Sequence, residues 1–208
     1  MIQSYKELDD RHFDVLGEIG NIGSGNAATS LSLMLDEGVN ISVPQVKLLD
    51  YDGVIRALGD PEDLAIAIMI KFTGDLRGVV LFLLEYDDAR KIAEMLIRGC
   101  EEGVDTEGLS ELMVSTVKEI GNILGSSYLG SISTLTGLKY EMSVPHVSID
   151  MVGSIMSAPM LECSVDEEKI LMIEGGFSTE EKCLKSHVIL FADLQSLNKV
   201  MAKLGIER

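Results

Sequence analysis

The chain of 208 residues is 46% apolar, enough for a sizeable core in one large domain or two fused half-domains. Its 17 basic and 34 acidic residues give a formal net charge of -17, which repels phosphate backbones and argues against nucleic-acid binding. No apolar run reaches the roughly 18 to 20 residues that span a bilayer, and the N-terminus is charged where a signal peptide is apolar, so we expect a cytoplasmic protein without membrane insertion.

The predicted elements of the first half begin with one long helix over GEIGNIGSGNAATSLSLML, which starts at Gly17. A strand follows and ends in an SVP segment (residues 42–44), and a short helix lies near residues 54–58. The segments LAIAIMIKF and GVVLFLLE then form a hairpin around Thr73, Gly74 and Asp75, which are residues that suit a turn. An amphipathic helix closes the half.

The second half repeats this order. KEIGNILGSSYLGSISTLT, which starts at Lys118, aligns without gaps on the first helix at an offset of 101 residues, and a second SVP segment (residues 143–145) aligns on the first. A short helix near residues 154–160 follows. Further on, the match between VVLFLLEYDDARKIAEML and HVILFADLQSLNKVMAKL has an offset of 108, which predicts a longer loop in the second half, at residues 165–169 or 178–182.

The duplication predicts the fold class. Two strands with a helix over each face cannot bury both sides alone, so we expect the halves to pack about a pseudo-twofold axis into one α+β unit. Each half contributes a long helix, antiparallel strands and a closing helix. The predicted domain covers residues 1–208, with repeats at approximately 8–101 and 106–208 and a boundary near Glu101 to Thr106.

Polar residues form a stripe on each long helix. Asp14, Glu18 and Asn21 fall within an arc of about 60 degrees, because spacings of four and seven residues return to the same helix face. The residues behind this stripe are apolar or small, namely Leu16, Ile19, Gly23, Ala27, Leu31 and Met34. This pattern predicts a helix with one face in the core and the stripe in water.

The second helix carries the same stripe, with Ser115 in place of the Asp, followed by Glu119 and Asn122. The apolar residues behind it are Val117, Ile120, Leu124, Tyr128, Ile132 and Leu135. Because Glu-Ile-Gly-Asn is identical in the two copies while much of the rest differs, we interpret the Glu and Asn as functional and the Asp or Ser as auxiliary. The alternative is that all of them are solvated residues of a purely structural domain.

Four glycines in the first helix, Gly17, Gly20, Gly23 and Gly25, each cost about 1 kcal/mol relative to Ala in a helix interior. We expect another backbone or a partner to approach closely there. Two alternatives are that GNIGSG is a loop after a short helix, or a turn that cradles phosphate. Against the second, no strand precedes this string, and the corresponding string of the second copy, GNILGS, has no glycine at the positions of Gly23 and Gly25.

The stripe lacks the usual groups for covalent or general-base catalysis. The three histidines are isolated in sequence and the three cysteines contain no CxxC pair, so we assign chemistry to none of them and expect neither a metal site nor a cofactor of the protein's own. An Asn can hold a water in line with a phosphorus atom, and a Glu can fix a cationic partner residue by a charge-assisted hydrogen bond.

These residues resemble a known family. The spacings D-x3-E-x2-N and S-x3-E-x2-N, the EIGNIGSGNAA string, the SVP segment and the duplication are similar to those of the CheC/CheX/FliY chemotaxis phosphatases. The resemblance implies hydrolysis of the aspartyl phosphate of the response regulator CheY, with Mg²⁺ in the regulator's own site. Asn21 and Asn122 would orient the water, while Glu18 and Glu119 would pair with a lysine of the regulator.

The resemblance also implies a second partner, the receptor deamidase CheD, whose interface the residues do not indicate. Two complete motifs in one chain differ from the single motif of CheX-like proteins, which dimerise, and the chain is shorter than FliY proteins usually are. The main alternative function is a non-catalytic adaptor, in which the two helix faces bind and sequester phosphorylated CheY or CheD.

Overall fold

Two strongly apolar strands lie in the interior of an antiparallel sheet and are buried on both faces. The computed structural model describes residues 2–42, 44–90, 111–163, 170–178 and 183–206. In it, β3 (Leu64–Gly74) and β4 (Gly78–Glu85) form the predicted hairpin, with β3 two residues longer than predicted. Burial on both faces explains why these strands are apolar almost throughout instead of alternating with polar residues.

Each half of the chain completes the sheet of the other. The remaining strands are β1 (Asn40–Ile41), β2 (Gln45–Leu49), β5 (Tyr140–Met142), β6 (His146–Met151), β7 (Ile170–Ser178) and β8 (Cys183–Ala192). β1 and β2 both pair with β7, which continues through β8, β4 and β3 to β5 and β6, both paired with β3. The outer strands of each half therefore pair with the hairpin of the other half.

The register between the two hairpins identifies a pseudo-twofold axis. Leu81 of β4 lies opposite Ile189 of β8, which is its own equivalent at the offset of 108. Val79 pairs with Phe191, which is the equivalent of Leu83, and Leu83 pairs with His187, which is the equivalent of Val79. The pairing is therefore symmetric about the pair of Leu81 and Ile189. The predicted α+β arrangement of two pseudo-twofold-related repeats is confirmed.

Helices cover both faces of the sheet. The long helices α1 (Asp10–Leu35) and α3 (Glu111–Thr136) pack on one face, over residues such as Ile68 and Phe82. The shorter helices α2 (Tyr51–Leu58) and α4 (Val152–Cys163) pack on the other, over residues such as Leu81. α5 (Leu194–Lys203) closes the second half as predicted, and residues 86–90 form the helical start of the corresponding segment in the first.

One predicted feature of each half is wrong. The strand does not end in the SVP segment: it stops before that segment, at Ile41 or Met142, and pairing resumes after it, in β2 or β6. The cause is the proline, which has no N–H to donate to the ladder. The segment therefore interrupts a longer edge strand.

The predicted extra loops and the predicted repeat boundary at 101–106 fall outside the described residues, apart from Ser178 at the end of β7. Among the residues that the structure describes, no helix is long and apolar enough to cross a membrane.

Candidate functional site

Both stripes lie on long, unbroken helices. α1 begins after Asp9, whose side chain accepts a hydrogen bond from the backbone N–H of His12, and runs without a break to Leu35. The glycine-rich string is therefore in the interior of a helix. Both alternatives for it, a loop and a phosphate-cradling turn, are wrong, because a helix interior has no free N–H groups to offer a phosphate.

The predicted stripe residues share the outer face of each helix. Asp14, Glu18 and Asn21 (the first site) are all exposed. In the second site, Ser115 and Glu119 are exposed while Asn122 is half-buried. The residues behind the stripes are buried except for three: Met34 and Ile132 are half-buried, and Leu135, predicted to lie behind its stripe, is exposed in the last turn of α3.

The stripe side chains are chemically available. None of the six side chains forms a hydrogen bond or an ion pair with another described residue. Ser126 Oγ donates a hydrogen bond to the backbone carbonyl of Asn122 at 2.7 Å, which leaves the Asn122 amide group uninvolved. Each carboxylate and amide can therefore bind a partner's group without breaking a hydrogen bond or ion pair to another described residue.

A proline packs behind each site, and sequence reasoning missed this contact. A Cβ placed on Gly20 would lie 3.3 Å from Cγ of Pro44, and one placed on Gly121 would lie 3.3 Å from Cβ of Pro145. Both glycines immediately precede the stripe Asn. The signal was present in the sequence, because the SVP segments recur at the same offset as the helices. Each proline therefore contacts its helix about 100 degrees around the axis from the stripe Asn.

The two site helices also pack against each other. A Cβ on Gly23 would lie 3.1 Å from Cα of Tyr128, Ser24 Oγ and Tyr128 Oη are 2.8 Å apart, and Ser131 Oγ donates to the carbonyl of Ile19 at 3.3 Å. The residue numbers fall on one helix as they rise on the other, so the helices are antiparallel.

The antiparallel packing separates the two sites. Extending these contacts places Asn21 level with Gly130, eight residues along α3 from Asn122, or about 12 Å along the helix axis. The chain therefore presents two sites that do not share their residues.

Close approach of another backbone is found at Gly23 only; at Gly20 the nearest atoms belong to the side chains of Pro44 and Ile173. A Cβ on Gly17 or Gly25 would meet nothing within 4 Å. At Gly17 and Gly25, the expectation that remains is close approach of a partner. Gly25 lies one turn beyond Asn21 on the same helix face.

The described residues contain no group of three or more His, Cys, Asp or Glu side chains placed to hold a metal ion. The first site consists of two carboxylates and an amide on one helix face, and the second of a hydroxyl, a carboxylate and an amide. Such a set can position water or a cation, but it has no nucleophile paired with a base.

A model of the CheC-like family matches residues 12–48 and 114–149, which are the two site helices with their SVP segments. The chain is 29% identical over 203 residues to the CheY-P phosphatase CheC of Bacillus subtilis (strain 168), covering 97% of both chains. The chain belongs to the CheC-like family. Both family segments contain a complete site, so the family match and the site geometry identify the same residues.

Two further relatives agree with this assignment. The chain is 33% identical over 148 residues to the flagellar motor switch phosphatase FliY of B. subtilis (strain 168), covering 71% of this chain and 38% of that longer protein. The crystal structure of Thermotoga maritima FliY superposes with a TM-score of 0.77 at 25% identity, covering 97% of this chain and 100% of that one. The CheC-like fold therefore extends over essentially the whole chain.

Proposed function

We propose that this protein is a phosphatase that hydrolyses the aspartyl phosphate of the chemotaxis response regulator CheY. The observation that carries the proposal is the pair of Glu–Asn faces, exposed except for the half-buried Asn122 and without a hydrogen bond or ion pair to another described residue, on helices that match the CheC-like family. Two relatives support it by name, since one is a CheY-P phosphatase and the other a flagellar motor switch phosphatase.

In this proposal Asn21 and Asn122 orient the attacking water. An amide both donates and accepts hydrogen bonds, so it can hold one water in line with the phosphorus atom without itself gaining or losing a proton. Each Asn extends from the middle of a helix that a proline contacts at the preceding glycine, so the backbone that carries the amide is already in place when the regulator binds. The catalytic contribution is positioning.

Glu18 and Glu119 act as anchors for the regulator. Each lies one turn before its Asn on the same face, and a carboxylate without an internal partner can accept a charge-assisted hydrogen bond from a lysine. Asp14 and Ser115 lie a further turn away and have an auxiliary role. The phosphate and its Mg²⁺ belong to the regulator, so the phosphatase needs no metal or cofactor of its own.

The proposal also includes a location and a second partner. The protein acts in the cytoplasm on its regulator, as the sequence led us to expect. CheD remains a proposed partner on the strength of the family resemblance, and no contact surface for it is assigned.

The test is phosphate release from phosphorylated CheY at substoichiometric amounts of this protein. A catalyst removes many equivalents of phosphate per molecule, and the rate scales with its concentration. An adaptor that sequesters the regulator gives the opposite result, because at equal concentrations it protects the aspartyl phosphate and at low concentrations it has little effect. Failure to exceed one turnover would refute the proposal in favour of the adaptor.

A further inference from the structure

The second SVP segment forms a bulge in its edge of the sheet. On one edge Met142 pairs with Phe72 and His146 with Met69, so Val144 and Pro145 together lie opposite the single residue Ile70. On the other edge Ile41 pairs with Phe177 and Gln45 with Glu174, which requires the same one-residue insertion. Bulges are enriched at sheet edges and beside active sites, where they redirect a side chain.

The second bulge is held rigidly beside the second site. The backbone N–H of Ser143 donates to the carbonyl of Lys71 at 2.9 Å, and that of Lys71 donates to Ser143 Oγ at 3.0 Å. Ser143 Oγ also donates to the carbonyl of Val144 at 3.0 Å. On the other side of Val144, Pro145 packs against Gly121. Val144 precedes Pro145 in sequence and Asn122 follows Gly121. Each is therefore the neighbour of a residue in the contact between Pro145 and Gly121.

Packing within the described part of the chain does not explain the valine. Val144 is 86% exposed, the highest value among the exposed large hydrophobic residues of the described chain, yet Ser-Val-Pro is identical in both halves. A single exposed apolar residue is ordinary in itself. Leu33 is such a case, because it is 81% exposed and its equivalent in the second half, at the offset of 101, is the polar Thr134.

We propose that Val144 is a docking residue of the second site, which contacts an apolar part of the CheY surface beside the phosphorylated aspartate. The proposal rests on the proposed function. For Asn122 to place a water against the phosphorus, the regulator must close over the helix face, and a rigid side chain beside that Asn is then covered as well. A rigid apolar residue loses little entropy on binding and gains affinity as water leaves its surface. Val43 is the corresponding residue of the first half.

The experiment uses the full chain carrying Asn21→Ala, so that turnover depends on the second site. In this background we expect Val144→Ser to raise KM for phosphorylated CheY about fivefold at unchanged kcat, as partial burial of a valine implies. Val144→Ile, which keeps an apolar side chain, should retain the KM of the Asn21→Ala parent. Leu33→Ser is the matched control, because it removes an equally exposed side chain, and it should leave KM and kcat unchanged.

A second measurement separates docking from catalysis. Binding of CheY activated with beryllofluoride, followed by calorimetry, should weaken about fivefold in Val144→Ser and stay unchanged in Leu33→Ser. If Val144→Ser matches Leu33→Ser in both KM and binding, the docking role is refuted. If binding weakens as expected but no variant turns over the phosphate, Val144 still docks the regulator and only the proposed hydrolysis fails.

Discussion

The four glycines of α1 should respond differently to alanine, because they differ in what a new methyl group would meet. At Gly17 and Gly25 a Cβ has nothing within 4 Å. Since Gly is about 1 kcal/mol worse than Ala in a helix interior, Gly17→Ala and Gly25→Ala should each raise the free energy of unfolding by about 0.5 to 1 kcal/mol.

Gly23→Ala should have the opposite effect. Its methyl group would lie 3.1 Å from both Cα and Cδ1 of Tyr128, and the backbone atom cannot turn away. α1 and α3 would have to separate, which would strain the contact between Ser24 and Tyr128. Overpacking of this kind costs about 1 to 3 kcal/mol, so it cancels or exceeds the gain in helix propensity.

Urea unfolding of the three variants, followed by circular dichroism at one temperature, measures these differences directly. For a chain of this size 1 kcal/mol corresponds to about 2 to 4 °C in Tm, so a thermal scan provides a second estimate. Stabilisation of Gly23→Ala as large as that of Gly17→Ala, or destabilisation of Gly25→Ala, would contradict these contacts. Activity at the first site adds a functional comparison, because Gly25→Ala should slow it if the regulator approaches that position closely.

Three further predictions concern stability and the individual sites. Burial raises the pKa of Tyr128 above its ordinary value, so the folded state retains a proton that the unfolded chain releases above about pH 10, and stability should fall as the pH rises through that range. Tyr128→Phe should lower the free energy of unfolding by about 1 kcal/mol near pH 7, because it removes the bond to Ser24. In urea titrations between about pH 9 and 11 this difference from the parent should shrink. A difference that does not change with pH would contradict the prediction. Asp9→Ala removes the N-cap of α1 and should cost about 1 kcal/mol, measured by the same titration, whereas Asp9→Asn, which retains a capping oxygen, should cost less. Asn21→Ala and Asn122→Ala, made singly, should each leave partial phosphatase activity because the sites lie on separate helices, and complete loss from either one would show that the sites act together.

The long helices, the stripes and the α+β duplication could be predicted because each depends on spacing that the sequence states directly. Glu18 and Asn21 are on one face for the same reason that Leu16 and Ile19 are buried, namely the period of the helix. The offset of 108 between the two hairpins could be found because their apolar strand residues match in sequence. In the structure, this offset relates Leu81 to Ile189, which lie opposite each other.

The contacts between distant segments could not be predicted in the same way. Nothing in the spacing shows that β2 pairs with β7 of the other half, because strand pairing over long separations depends on how the whole sheet packs. The SVP segment was misplaced for a related reason: its proline marks an interruption, but only the partner strand shows that pairing resumes beyond it. The support of Gly121 by Pro145 follows from that bulge.

The most direct test of the account is phosphate release from phosphorylated CheY by the Asn21→Ala, Asn122→Ala double variant, compared with the parent at equal, substoichiometric concentration. Both Asn side chains are without an internal partner in the described structure, so the double change should leave the fold intact, and an unchanged Tm would verify this. Release should fall to the regulator's own rate of dephosphorylation. Release as fast as that of the parent would contradict it.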